Sequence, residues 1–160
     1  MGKAARSDLR ESWRVIALDT NILVYAHRED SPFHEAAFRC LTELAEGPAT
    51  WAIPWPCVHE FLAIVTHPRI YAPATPLAQA LDQVDAWLEA PNLTLLAESP
   101  AHWRTLRLLL VGGRVAGPQV HDARVAALCR QHGVRELWSA DRDFSRFAGF
   151  NLKNPLLGYA

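Results

Sequence analysis

Short apolar runs alternate with longer segments of three-and-four periodicity along most of this chain, and the alternation predicts its elements in order. VIALD, Val15 to Asp19, is an apolar run closed by an acid, the pattern of a buried parallel strand whose polar groups emerge at its carboxyl end. After TNILVYA, Ser31 and Pro32 read as an N-cap and a first-turn proline. Phe33, Ala36, Ala37, Cys40, Leu41 and Leu44 then recur at helical spacing up to Gly47. WAIPW predicts a short strand broken at Pro54, and Pro56 to Thr66 a helix. Pro68, Pro73 and Pro76 make a stiff connection, and Thr75-Pro76 opens a helix that runs to about Ala90, before Pro91. LTLLA, residues 93–97, is the next strand and Pro100 to Val111 the next helix. GGRVAGP, residues 112–118, is a glycine-rich break without the Lys-Ser/Thr ending of a phosphate loop. Gln119 to His132 predicts a helix stopped by Gly133, RELWSA a strand, DRDFSRF a loop, and Phe150 to Leu152 a last short strand. Repeated βα units of this kind predict an α/β domain, a mostly parallel sheet covered by helices on both faces.

Composition narrows the class. A chain of 160 residues that is 50% hydrophobic suits one compact domain with a core of its own. The polar, unpatterned residues 1–14 are expected to form a flexible arm and residues 15–160 a single domain. Sixteen basic against seventeen acidic residues give a net charge of -1, which excludes a polybasic binder held to polyanions by net charge and leaves room for a local basic patch. Cys40, Cys57 and Cys129 are dispersed and odd in number, so neither a disulfide framework nor a zinc signature is present. With no leader-like or membrane-spanning apolar run in the sequence, the expected setting is cytoplasmic, with no membrane partner.

The informative residues are acids. In the helix Pro56 to Thr66, Glu60 shares its predicted face with Cys57, Phe61, Ile64 and Val65, and Asp122 interrupts the stripe of Val125, Ala126 and Cys129 in the same way. A carboxylate on an inward face is costly unless paired or bound to a cation. Asp19 ends the first strand and Asp141 follows a later one, so four acids are expected at one rim, with Asp143 close by as a second acid of the DRDF turn. At an effective dielectric near 20, two carboxylates about 4 Å apart repel by about 4 kcal/mol, which a divalent cation removes. Oxygen ligands with Asn21 and Ser139 as polar neighbours, and no His/Cys cluster, suit Mg²⁺ or Mn²⁺ better than Zn²⁺. Such a site fits hydrolysis of a phosphodiester by an activated water.

Other residue types add less. His59 and His121 precede the helical acids and are placed to reach substrate. The remaining histidines read as surface or capping residues, and the tryptophans read mainly as core. Arg28, Arg114, Arg124, Arg142 and Arg146 lie near the proposed active segments and are candidate contacts to an RNA backbone.

Taken together, LDTNILVYA, the single acid of CVHEFLAIVT, VHDARVAAL, WSADRDFSRF and the closing NPL resemble a PIN-domain ribonuclease, and more narrowly the VapC toxins of toxin-antitoxin pairs, over residues 15–157. The resemblance implies a three-layer α/β/α fold and Mg²⁺ or Mn²⁺ held by Asp19, Glu60, Asp122 and Asp141. It makes Asp143, Asn21 and Ser139 accessory and RNA the substrate. It also implies a homodimer, with candidate surfaces around 32–46 and 77–90, and a small antitoxin as cognate partner.

Two alternatives stand beside it. A haloacid-dehalogenase-like phosphatase also begins with an acid at the end of its first strand, but it needs a second Asp two residues on, where this chain has Asn21. A catalytically silent PIN-like module would bind RNA or a protein partner without metal-dependent cleavage.

Overall fold

The computed structural model describes residues 15–158. The expected arm over 1–14 and the last two residues lie outside that range.

Five strands form one sheet in the order β3-β2-β1-β4-β5: β1 (Val15–Leu18), β2 (Thr50–Pro54), β3 (Leu93–Leu96), β4 (Glu136–Trp138) and β5 (Asn151–Lys153). Every neighbouring pair is parallel, with Ile16 opposite both Trp51 and Glu136 across the central strand. Parallel strands need crossovers, and the helices supply them: α1 (Thr20–His27) and α2 (His34–Glu46) lead into β2, and α3 (Trp55–Val65) and α4 (Leu77–Leu88) into β3. After β3, α5 (His102–Gly112) and α6 (Gln119–Gln131) carry the chain back past β1 to β4, and a 3₁₀ turn (Arg142–Arg146) precedes β5. Right-handed crossovers place α1 to α4 on one face and α5 with α6 on the other, the expected three-layer α/β/α domain.

The core follows from this layering. Ala17, Leu18, Ile22, Leu23, Trp51, Ala52, Phe61 and Leu137 are fully buried, and α6 contributes Ala126 to Cys129. Trp87 stacks edge-on against Phe61 at 4.8 Å, so Trp51 and Trp87 are core as expected, whereas Trp55 and Trp103 are exposed.

Three local details add to or differ from the expectations. Ser31-Pro32 is a turn, not a helix cap: the Ser31 hydroxyl accepts from the Phe33 amide, and the helix begins only at His34. TNILVYA is itself a helix, whose nearly continuous apolar run hid the period because most of its circumference is buried. The helix opened by Pro76 ends at Leu88, where backbone turns at Glu89 and Ala90 close it ahead of Pro91.

Asn92 joins three elements. Its amide nitrogen donates to the carbonyls of Leu44, Gly47 and Ala49 at 2.8–3.1 Å, and its carbonyl oxygen accepts from the Trp51 indole at 3.0 Å. Removing one partner of partly buried groups costs more than the bond is worth where the other is left unpaired, as the Trp51 indole would be. Asn92→Ala is therefore expected to lower unfolding free energy by about 2–3 kcal/mol, read from urea denaturation, while leaving the acid site intact.

Candidate active site

In an open parallel sheet, ligands bind beyond the carboxyl ends of the strands where the chain's direction of travel across the sheet reverses. Here that point lies between β1 and β4, and Asp19 and Ser139 follow those two strands directly.

Asp19 is both the end of β1 and the N-cap of α1. Its Oδ1 accepts from the Thr20 amide at 2.8 Å and from the Cys57 thiol at 3.7 Å. Its Oδ2 accepts from the Ser139 hydroxyl at 2.7 Å and from the Asn21 amide at 3.3 Å. The Ser139 oxygen in turn accepts from Asn21 at 3.1 Å and from the Asp141 backbone amide at 3.0 Å, while Asn21 Oδ1 accepts from the Ala140 amide. The Asp141 carboxylate accepts from the Asp143 amide at 2.8 Å, which opens the 3₁₀ turn. One hydrogen-bonded chain thus runs from the buried acid to the loop that carries the outer two, and Asn21 and Ser139 support the site as expected.

One carboxylate oxygen from each of Asp122, Asp141 and Asp143 lies within 4.8 Å of the other two. Asp143, expected as an accessory acid, belongs to this compact set. Asp19, Glu60, Asp122 and Asp141 share the lining of a cavity of about 260 Å³ with Asn21 and Tyr71. Glu60 is joined to the α1 terminus by a hydrogen bond from the Thr20 hydroxyl to its Oε2 at 3.1 Å. One expectation changes here: Glu60 is exposed at the rim rather than inward, because the buried stripe of α3 runs through Cys57, Phe61 and Val65 and leaves position 60 on its edge. Asp122 is half-buried, as its phase with Val125 and Ala126 predicts.

The electrostatics match the crowding. Burial raises the Asp19 pKa to about 6 from 3.8, the Ser139 and Thr20 hydrogen bonds pull it down, and the Glu60 and Asp122 charges push it up. Asp122 is raised by burial and then by Asp141, Asp143 and Glu60, with Arg146 acting against them. Among the described residues, no ion pair reaches any of these five acids. An all-oxygen, multiply anionic donor set with no ion-paired side chain among the described residues fits a hard divalent ion such as Mg²⁺ or Mn²⁺.

The basic residues are placed unevenly. Arg28 is only 11% exposed, and its fork is spent on Asp30, the Pro73 carbonyl and Thr75. Arg124 pairs with Glu98 at 2.9 Å, and Arg146 donates to Gln119 and to the Asp143 carbonyl. Arg142 is exposed on the 3₁₀ turn, and Arg114 sits in a left-handed turn of the 112–118 break with φ 50°. His59, His121 and Arg124 line a second, larger cleft of about 630 Å³ that shares Glu60 and Asp122 with the first. The reading of His27 as a surface or cap residue is replaced. It bridges Gln83 and Thr75 and stands edge-on to Phe61 at 5.3 Å.

Sequence reasoning missed Thr20 and Tyr71. Thr20 carried a signal, a hydroxyl next to a strand-end acid; Tyr71 lies in a proline-rich connection with no periodicity from which to place it.

The architecture and the acid-lined switch point define a PIN domain, and the PIN domain family profile matches residues 16–150. The chain belongs to that family, in its VapC-like branch. It is 32% identical over 141 residues to Ribonuclease VapC48 of Mycobacterium tuberculosis, covering 88% of this chain and 97% of that one. It is 33% identical over 144 residues to Ribonuclease VapC43 of the same species, covering 90% and 97%. In fold it is similar to a chain of VapBC2 from Rickettsia felis, solved bound to a DNA fragment from their promoter, with a TM-score of 0.65 at 20% identity over 87% of this chain and 97% of that chain.

Ser139→Ala removes the donor that most favours the charged form of Asp19. The loss is expected to be about 1–3 kcal/mol near pH 7.5 and smaller near pH 4.5, where Asp19 is protonated. Urea denaturation in EDTA at the two pH values reads the difference.

Proposed function

We propose that this protein is a Mg²⁺- or Mn²⁺-dependent endoribonuclease and the toxin of a toxin-antitoxin pair. The observation that carries the reading is the convergence of Asp122, Asp141 and Asp143 within 4.8 Å, with no cation partner among the described residues, in a chain of this family. Asp19, Glu60, Asp122 and Asp141 are the residues that would hold the metal, with Asp143 beside them. When bound, a divalent ion supplies a water of lowered pKa and offsets the charge that gathers on the phosphate in the transition state.

The chain's own part is positional. Asp19, fixed by four hydrogen bonds, offers a carboxylate that loses little freedom on binding. Thr20 holds Glu60 at the rim, and Ser139 and Asn21 hold the Asp141 loop against β1. Arg142 and Arg146, exposed on the turn that carries Asp143, and Arg114, exposed on the 112–118 break, are candidates to meet the RNA backbone; Arg124 lines the cleft beside Glu60 and Asp122 but is paired with Glu98, and Arg28 is paired with Asp30. The same acid cluster is the feature a small cognate antitoxin would cover with a basic side chain, and the toxin is read as a homodimer.

Purified protein incubated with total cellular RNA and Mg²⁺ or Mn²⁺ is expected to give discrete products that EDTA abolishes. Asp122→Asn and Asp141→Asn are each expected to lower the rate at least about 100-fold. Full activity in either clean variant overturns the reading.

Metal binding has a signature independent of cleavage. Because the folded Asp19 pKa lies above its unfolded value, the metal-free fold is favoured by this group below about pH 4. That contribution is lost as pH rises through about 6, an upper limit near 3 kcal/mol. Mn²⁺ is therefore expected to raise the melting temperature at pH 7.5, by about 2–4 °C for each kcal/mol recovered. The gain fades below pH 6, where protons compete for the same oxygen.

A further inference from the structure

The lining of the acid cavity is not all acidic. Tyr71, from the connection between α3 and α4, and Tyr25, from α1, line it together with the carboxylates, and they are the aromatic residues of its lining. Tyr71 is half-buried, and the Arg28 guanidinium covers it at 4.2 Å from the ring centroid. The same guanidinium donates to the Pro73 carbonyl at 3.0 Å and to the Thr75 hydroxyl at 3.2 Å, while the Thr75 amide donates to the Val65 carbonyl at 2.8 Å. Arg28 thus ties the proline-rich strap to the end of α1. Asp30 neutralises its charge through a two-bond fork at 2.6 and 2.8 Å, so it serves as a brace for the ring rather than a phosphate clamp.

We propose that Tyr71 is the stacking surface of a nucleobase subsite, seating an unpaired base of the RNA strand whose phosphate lies at the acids, with Arg28 as the positioning residue that fixes the ring. The inference rests on the ribonuclease reading and extends it to substrate recognition. A strand entering a cavity lined by Asp19, Glu60, Asp122 and Asp141 meets repulsion at its phosphates wherever metal does not cover them, so inside the cavity uncharged contacts have to supply affinity, whatever the arginines outside it add. An aromatic face beside the cleavage position supplies one, since every base presents a π-face. A ring held by a stacked, fully engaged guanidinium loses little freedom when the base arrives. The subsite requires an unstacked base, so it engages an unpaired position of the strand.

The test uses a random-sequence single-stranded RNA pool with Mn²⁺, cleavage positions being mapped by sequencing for the wild type, Tyr71→Phe, Tyr71→Ala and Arg28→Lys. Binding is followed separately with a 2-aminopurine-containing oligoribonucleotide in Ca²⁺. Tyr71→Ala is expected to raise KM on a cleaved sequence by about 10-fold, to flatten the base preference at one position next to the cut, and to lose fluorescence quenching. Tyr71→Phe restores most of all three, and Arg28→Lys falls between. Unchanged thermal melting and Mn²⁺ binding in Tyr71→Ala separate the effect from damage to the fold.

Wild-type KM, preference and quenching in Tyr71→Ala overturn the subsite while leaving the nuclease standing. Quenching by a wild type that cleaves nothing overturns the nuclease and leaves the subsite. Neither cleavage nor quenching overturns both.

Discussion

A carboxylate is buried at the end of the central strand, and the rest of the site is arranged to keep it there. Asp19 is 7% exposed, faces two other acids, and is held by donors from a backbone amide, a thiol, an amide side chain and a hydroxyl. Each donor also does structural work elsewhere. Thr20 begins α1, Asn21 and Ser139 lock the loop after β4, and Cys57 lies in the first turn of α3. The donors stabilise the charged form only in part, since burial still dominates and the pKa stays high. The remaining mismatch ties the stability of the sheet's centre to the charge on Asp19.

Much of this was legible because parallel α/β architecture writes itself into sequence. VIALD and LTLLA are short apolar runs that return as strands, RELWSA returns as a strand too, and most of the helices between them keep their period. Asp122 was found because it breaks an apolar stripe on a helix whose other stripe residues are buried. Glu60 was found for the same reason although it sits on the edge of its stripe, where a rotation of one position on a short helix decides between core and rim. The α1 segment escaped because a helix buried around most of its surface loses the amphipathic contrast on which the reading depends. Tyr71 escaped for a different reason: its place is set by Arg28, 43 positions earlier in the chain by residue number, and no local pattern encodes a contact of that span.

The arginines show the limit of reading charge from sequence. All five candidates lie near the active segments, yet the two that are most tied into the fold, Arg28 and Arg124, are paired with Asp30 and Glu98. A guanidinium next to an active site is as useful for shaping a loop as for meeting a phosphate, and only the partner within hydrogen-bond distance separates the two uses.

The strand order has a further consequence for when the acid site assembles. β1 lies between β2 and β4, and the Ser139 hydroxyl that anchors Asp19 comes from a residue 120 positions later. During synthesis the open edge of β1 therefore waits for nearly the whole domain, and Asp141 and Asp143 arrive just after the strand that closes it. A partly made chain has Asp19 without the hydroxyl that anchors it and the helical acids without the two they converge on. The long-range closure that makes this sheet slow to complete also makes assembly of the acid cluster all-or-none, since it waits for β4 and the turn that follows it.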